Sequence, residues 1–211
     1  MKKILVYGAA EFGQVVKNLV QICGHDFAGF IDDYNTPTND VWFGTYEDIK
    51  AGWLRHEGRL SFECGKIRSK DYAIAIAIGY KSLETRWKIY EKVKADGYKV
   101  VSLIHPQAIV DRTARMGEGV MVMSGAVLDY NAEIKDLVVM WNGAIVCHDD
   151  VIGENTFLSP NSTVCGFNAV GRNCFIGAGA VISDHLVVPD NCFVKAGDVS
   201  IGEMFTKRRD A

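Results

Sequence analysis

The sequence predicts a small α/β domain over residues 1–106 followed by a triangular, parallel β-coil over residues 107–211. Three observations carry that expectation. Every sixth residue from Val110 through Met116, Val122 and Leu128 to Val188 and Val194 is aliphatic or Met, without a slip. Neither a helix nor a simple strand has that period, so the run is a repeat of fifteen units. Four residues after these positions the side chain is usually small, as at Ala114, Ala126, Ala132, Ala144, Thr156, Ser162 and Ala180. A branched residue followed by a small one at a tight corner suits a coil in which three six-residue faces make one turn, giving five turns. The third observation is the opening strand, glycine turn and helix of an α/β unit.

That opening runs from Lys3 to Tyr7, stops at Gly8, passes Gly13 and enters a helical pattern at Val15, Val16, Leu19, Val20 and Ile22, closed by Gly24. Phe27–Ile31 reads as the second strand and ends at Asp32 and Asp33. A Rossmann-type unit has this layout, with phosphate oxygens at the helix start and an acid after the second strand reaching a ribose or base. Gly8 and Gly13 equally suit any unit that needs a tight turn. Pro37, Asn39 and Asp40 mark a turn, Tyr46 to Leu54 has helical character, and Arg55 to Lys70 has no firm period. Ala73–Ile78 is a buried parallel strand ending at Gly79, and Leu83–Ala95 is a helix. Lys99–Ile104 is the last strand of the domain, closed by His105-Pro106. The C-terminal strand ends gather Gly8, Asp32, Asp33, Gly79 and Tyr80 into one crevice. Arg86 is either an anion partner there or a solvated helix residue.

Within the coil, His148 lies two residues past the inward Val146 and points outward, followed by Asp149 and Asp150. Imidazole titrates near neutrality and serves as a general base, and an adjacent carboxylate fixes its tautomer. An exposed His beside two acids is otherwise a solvated corner. The repeat favours the catalytic reading, because a narrow triangular coil has no deep pocket and a ligand must lie in a groove between subunits. His185, beside Asp184, reads as structural or surface. No pair around His148 has metal-ligand spacing, and no metal is expected.

A net charge of −3 argues against a nucleic-acid surface, with Lys207-Arg208-Arg209 the only basic cluster. The six cysteines show no CxxC spacing and suit a reduced, cytoplasmic protein. No apolar stretch approaches membrane-spanning length, so membrane insertion is not expected. Phe157, Phe167 and Phe175 are expected as exposed apolar positions that closed threefold association would cover.

The chain resembles the two-domain left-handed β-helix acyltransferases of bacterial sugars, which include nucleotide-amino-sugar N-acetyltransferases and sialic-acid O-acetyltransferases. The likeness rests on Gly8–Val16, on Gly29-Phe30-Ile31-Asp32-Asp33, and on Ile78-Gly79 with Arg86 behind it. In the coil it rests on His148–Gly153, Gly166 and Ile176–Ala180. It implies a Rossmann-like sugar-nucleotide-binding domain at Gly8, Gly13, Asp32, Asp33, Gly79, Tyr80 and Arg86. It also implies a homotrimer with acetyl-CoA along the coil at Trp141, Asn142, Phe157, Gly166, Gly177 and Ala178, with His148 as the base and Asp149 as the acid that orients it. Phe157 stands where relatives often carry a second histidine, and Trp141-Asn142-Gly143 where Asn-Thr-Gly is common. The implied reaction is acetyl transfer from acetyl-CoA to the amine of a nucleotide-linked amino sugar, a 4-amino-4,6-dideoxy sugar of surface glycan biosynthesis. Alternatives are O-acetylation of a sugar hydroxyl and a non-catalytic nucleotide-sensing scaffold.

Overall fold

In a computed structural model of the chain, residues 3–36, 41–51, 53–56, 59–62, 68–201 and 206–207 are described. The turn expected at Pro37, Asn39 and Asp40, and Cys64, Arg208 and Arg209, lie outside them. The chain forms two compact units, Met1–Val101 and Ser102–Ala211.

The first unit is built on β1 (Lys3–Tyr7), α1 (Glu11–Ile22), β2 (Phe27–Ile31) and α2 (Tyr46–Lys50). A hairpin of β3 (Trp53–His56) and β4 (Arg59–Phe62) follows, then β5 (Tyr72–Ile76), α3 (Leu83–Ala95) and β6 (Lys99–Val100). The main sheet is parallel, in the order β2-β1-β5-β6. Strand order therefore reverses between β1 and β5, the place where open α/β sheets take their ligands. Leu5, Val6, Ile74 and Ile76 are fully buried, as the apolar runs required. On α1, Val16, Leu19 and Val20 face the core, whereas Val15 and Ile22 are exposed, because the helix buries only one stripe. Its C-terminus closes on Gly24 at φ +74, with the Gly24 N–H on the Gln21 carbonyl and the His25 N–H on that of Val20.

Two sequence expectations in this unit change. The helix expected to reach Leu54 stops at Lys50. It is defined by a capping box in which the Thr45 hydroxyl accepts from the Asp48 N–H and the Asp48 carboxylate from the Thr45 N–H. The hairpin that follows was not legible, since its residues show no clean alternation. The strand expected over Lys99–Ile104 is two strands. Lys99–Val100 completes the α/β sheet beside β5, and Leu103–Ile104 already pairs with Met121–Val122 of the coil.

The second unit is a parallel β-solenoid of two-residue strands, each pairing with the strand eighteen residues on. Three sheets form its three faces. An antiparallel pairing of Thr206–Lys207 with Cys192–Phe193 extends one of them. The six-residue column is the interior: Val122, Leu128, Ile134, Met140, Val146, Ile152, Leu158, Val164 and Ile176 are all buried in one cluster. Removing one such side chain costs about 2–5 kcal/mol. Ala126, Ala132, Ala144 and Ala180 fill inner corners of the coil, and Val120 and Val138 fill equivalent ones.

From Gly119 onward each corner also holds one residue in the left-handed region. Asn131, Asn155, Asn161, Asn173 and Asn191 fill that place at φ between +54 and +58, and the bulky Leu137, Phe167 and His185 are held there as well. The expectation of exposed phenylalanines holds for Phe167, which is 51% exposed, but not for Phe157, which is 4% exposed. Phe157, Phe175 and Phe193 stack as a ladder up one face, at centroid distances of 6.0 and 5.1 Å.

Four consecutive inner corners are polar, at Asp150, Thr156, Ser162 and Asn168. Asp150 and Asn168 occupy stacked inner corners one turn apart, and the Asn168 N–H donates to Asp150 Oδ1 at 2.7 Å. Asp150 Oδ2 is buried without a hydrogen-bond partner among the described residues, and burial pushes this carboxyl up to about 7. An unfolded aspartate titrates near about 3.9. Between those values the folded coil holds a proton that the unfolded chain releases. The stabilising contribution is therefore full below about pH 4 and is lost as pH rises through about 7. Asp150→Asn should remove that slope. Thermal unfolding across pH should show the variant a few degrees more stable than the parent at pH 8, with the gap closing toward pH 4.

Candidate functional site

Stacking at an eighteen-residue register turns sequence positions into columns. One corner column carries Tyr130-Asn131, His148-Asp149, Gly166-Phe167 and Asp184-His185. Its turns are joined by the Asp149 N–H on the Tyr130 carbonyl, the Phe167 N–H on that of His148 and the His185 N–H on that of Gly166. His148 is half-exposed, and its Nδ1 lies 3.1 Å from Asp149 Oδ2. A carboxylate only accepts, so in the neutral ring Nδ1 carries the proton and Nε2 the lone pair. Asn131 and His148 together draw the Asp149 carboxyl below its usual range, the Asn131 hydrogen bond being the larger cause. Asp150, which the sequence placed beside His148 as a second exposed acid, instead points into the core.

The imidazole has a fitted seat. A Cβ on Gly166 would sit 2.8 Å from His148 Cε1 and 3.0 Å from Nε2, so only glycine leaves room for the ring. The Phe167 ring meets the imidazole edge-on, with centroids 5.1 Å apart at 84°, and stacks on His185 at 4.9 Å. His185 in turn pairs with Asp184 at 2.9 Å. Phe167 and His185 were not singled out as site residues from sequence. The signal that could have found them is their eighteen-residue spacing from Asp149.

The neighbouring corner column holds the other expected coil residues. Trp141 and Gly177 share one position of the turn and Asn142 and Ala178 the next, two turns apart, the turns being joined by the Asn161 N–H on the Asn142 carbonyl and the Gly179 N–H on that of Pro160. Asn142 Nδ2 donates to Ser124 Oγ at 2.9 Å. A Cβ on Gly177 would meet the backbone of Ala196 at 2.4 Å. The sheet face of Ile145, Thr163 and Val181 lies between this column and that of His148. Phe157 belongs to the next face, against Trp141 at 6.1 Å; the aromatic on His148 is Phe167.

In the α/β unit, Gly8, Gly13, Asp32 and Asp33 converge at the strand ends. A Cβ on Gly13 would fall 2.1 Å from the Gly8 carbonyl oxygen, and one on Gly8, at φ +112, 2.6 Å from that of Ala77, so both glycines are required by close packing. Ala10 begins α1 without a side-chain cap, which leaves the helix start suited to an anion. Asp32 is buried and accepts from the backbone N–H groups of Ala9, Tyr34 and Asn35. Asp33 accepts from the Tyr7 hydroxyl at 2.5 Å and the Tyr46 N–H at 2.8 Å. These acids thus shape the loop after β2. Gly79 begins a turn of 3₁₀-helix over Tyr80–Ser82, and Tyr80 is partly exposed. Arg86 is fully buried rather than solvated, and burial lowers its pKa to about 9.

Five cysteines are described, all as free thiols, and burial pushes Cys147 and Cys192 up to about 11 and Cys174 to about 12, which makes them poor nucleophiles. Among the described residues no group of three or more His, Cys, Asp or Glu could hold a metal ion. No described helix is long and apolar enough to cross a membrane.

An α/β unit followed by a parallel coil of hexapeptide repeats is an architecture that this chain shares with known acetyltransferases. Residues 3–93 match the PglD N-terminal domain family, and residues 151–184 match the bacterial transferase hexapeptide family. The acetyltransferase domain of PglB from Neisseria gonorrhoeae is 25% identical, covering 95% of this chain and 92% of that one with a TM-score of 0.80; a second structure of that domain contains acetyl coenzyme A. PerB from Caulobacter crescentus, in complex with CoA and GDP-perosamine, is 26% identical over 95% of this chain and 89% of that one, with a TM-score of 0.82. WeeI from Acinetobacter baumannii shares the fold, at 23% identity over 98% of this chain and 99% of that one, with a TM-score of 0.69. The chain shares with these proteins a two-domain fold, an α/β unit followed by a parallel β-solenoid of hexapeptide repeats.

Gly166→Ala should push the imidazole out of its seat without unfolding the coil. In NMR spectra the His148 ring resonances should move while the thermal midpoint changes by only a few degrees.

Proposed function

We propose that the chain transfers the acetyl group of acetyl-CoA to the amine of a nucleotide-linked amino sugar. The observation that carries this reading is the His148 imidazole, tied at Nδ1 to Asp149 and open at Nε2 above Gly166. The neutral amine attacks the thioester carbonyl, and Nε2 takes its proton as the N–C bond forms. Asp149 stabilises the imidazolium, backbone N–H groups hold the developing oxyanion, and the C–S bond breaks. The departing thiolate then takes the proton from Nε2, restoring the base. The nucleotide-linked portion binds the α/β unit at the end of β1 and β5, with phosphate oxygens at the start of α1. Gly8, Gly13, Gly79 and Tyr80 line that site, Asp32 and Asp33 set its loop, and Arg86 contributes positive charge. The pantetheine arm lies along the coil face between the Trp141-Asn142-Gly177-Ala178 column and the His148-Gly166 column, with Phe157 packing behind Trp141.

The PerB structure with CoA and GDP-perosamine supports a nucleotide-linked amino sugar as the acceptor, and the acceptor proposed here is a 4-amino-4,6-dideoxy sugar of surface glycan biosynthesis. Acetyl-CoA and nucleotide sugars are cytoplasmic metabolites, and a cytoplasmic location suits the free cysteines.

Initial rates with acetyl-CoA and UDP-, dTDP- and GDP-linked 4-amino sugars, each beside its hydroxyl counterpart, test the class. Transfer to an amine is expected. CoA release only with hydroxyl acceptors, or with none, would contradict it. His148→Ala should lower turnover by roughly 10²–10⁴-fold while calorimetry shows both substrates still bound.

We further propose a homotrimer, in which threefold closure covers Phe167 and makes the coil face one wall of a cleft. Sedimentation should give three chains, and a fully active monomer would rule this out.

A further inference from the structure

The carboxylate that orients His148 is itself held by a residue one full turn earlier in the coil. Asp149 Oδ2 faces His148 Nδ1, and its other oxygen, Oδ1, accepts from Asn131 Nδ2 at 2.6 Å. An aspartate carboxyl turns freely about its last bond unless something fixes it, and Asp149 is partly exposed to water.

Asn131 is fixed on every side. Its N–H donates to Thr113 Oγ1 at 2.7 Å, and its Oδ1 accepts from Arg115 Nη1 at 3.1 Å. Arg115 is in turn set by Glu133 Oε2, at 3.3 Å from Nε and 3.1 Å from Nη2. A guanidinium can only donate and a carboxylate can only accept, so the Asn131 amide has one orientation that satisfies both neighbours. Its oxygen faces Arg115 and its NH₂ faces Asp149. The result is a directed chain, Glu133 to Arg115 to Asn131 to Asp149 to His148, in which every member but the first is held by the one before.

We infer that Asn131 is a positioning residue for the reaction: one amide N–H turns the Asp149 carboxylate so that its other oxygen stays on His148 Nδ1, leaving Nε2 bare. This deepens the proposed acetyl transfer and rests on it. Asn131 makes no hydrogen bond to the imidazole and acts through Asp149.

Two substitutions separate that role from the corner's backbone demand. Asn131 sits at φ +54, and Gly119, Gly125, Gly143, Gly179 and Gly197 stand in the left-handed region at other corners. Asn131→Gly therefore keeps the turn and deletes the donor. Asn131→Asp keeps the shape and sets an oxygen against Asp149 Oδ1. The experiment is ¹⁵N NMR of histidine-labelled full-length protein, with steady-state kinetics on the same samples.

The parent should show one neutral tautomer at His148, protonated at Nδ1. Both variants should show a mixture of tautomers with an unchanged thermal midpoint. The kcat should fall about tenfold or more, with KM for donor and acceptor within about twofold. A single Nδ1–H tautomer in Asn131→Gly, or a loss confined to KM, would overturn the assignment. If the parent transfers no acetyl group to any amine, the proposed function fails, and the tautomer measurement still decides the role of Asn131.

Discussion

The structure depends on one constraint: the coil closes on itself every eighteen residues, so each backbone N–H of a strand meets a carbonyl one turn away. The Val127 N–H on Ala144, the Ile145 N–H on Ser162 and the Thr163 N–H on Ala180 repeat this at 2.8–2.9 Å. Ladder bonds of this kind leave no register to choose, because a slip of one residue would turn the inward column of Val, Leu and Ile to water. Once the register is fixed, residues far apart in sequence become neighbours by arithmetic. Asn131, Asp149, Phe167 and His185 are such a set, and so are Trp141 and Gly177.

Function then requires only local departures from the repeat. The corner at 149 takes an aspartate in the left-handed region where most other corners take Asn or Gly, which brings a carboxylate beside the preceding His148. The next turn supplies Gly166, whose missing side chain is the space the imidazole occupies. Phe167 at φ +64 costs more than an Asn or Gly would, and its ring is the edge against which His148 rests. The interior compensates with the tight stacking of its aliphatic column. In the α/β unit the same economy is visible in Gly8 and Gly13, where close backbone approach leaves the helix start open.

Much of this was legible in the sequence. The six-residue column gave the coil, and its phase placed His148 outside and Val146 inside. Composition and the strand-turn-helix pattern gave the α/β unit. Where the sequence reading fell short, the cause was phase or partner. Asp150 follows the same four-residue rule that placed the alanines inward, but its charge suggested the surface. Phe157 looked exposed because an outward position on a coil normally is, yet it is covered. Arg86 read as either an anion partner or a solvated helix residue, and its full burial depends on packing that no periodicity records. Asn131 and Phe167 needed the eighteen-residue column, since each is ordinary in its own six-residue repeat.

The central claim is that Nε2 of His148, left bare by the hold on Nδ1, marks the place where amine and thioester meet. A crystal structure of the protein with CoA and a nucleotide-linked 4-amino sugar bound together tests it most directly. The account predicts the sugar nitrogen within about 3.5 Å of Nε2, with the CoA sulfur on the same side of the ring. An amine or sulfur bound away from His148, with the imidazole facing only water, would contradict it.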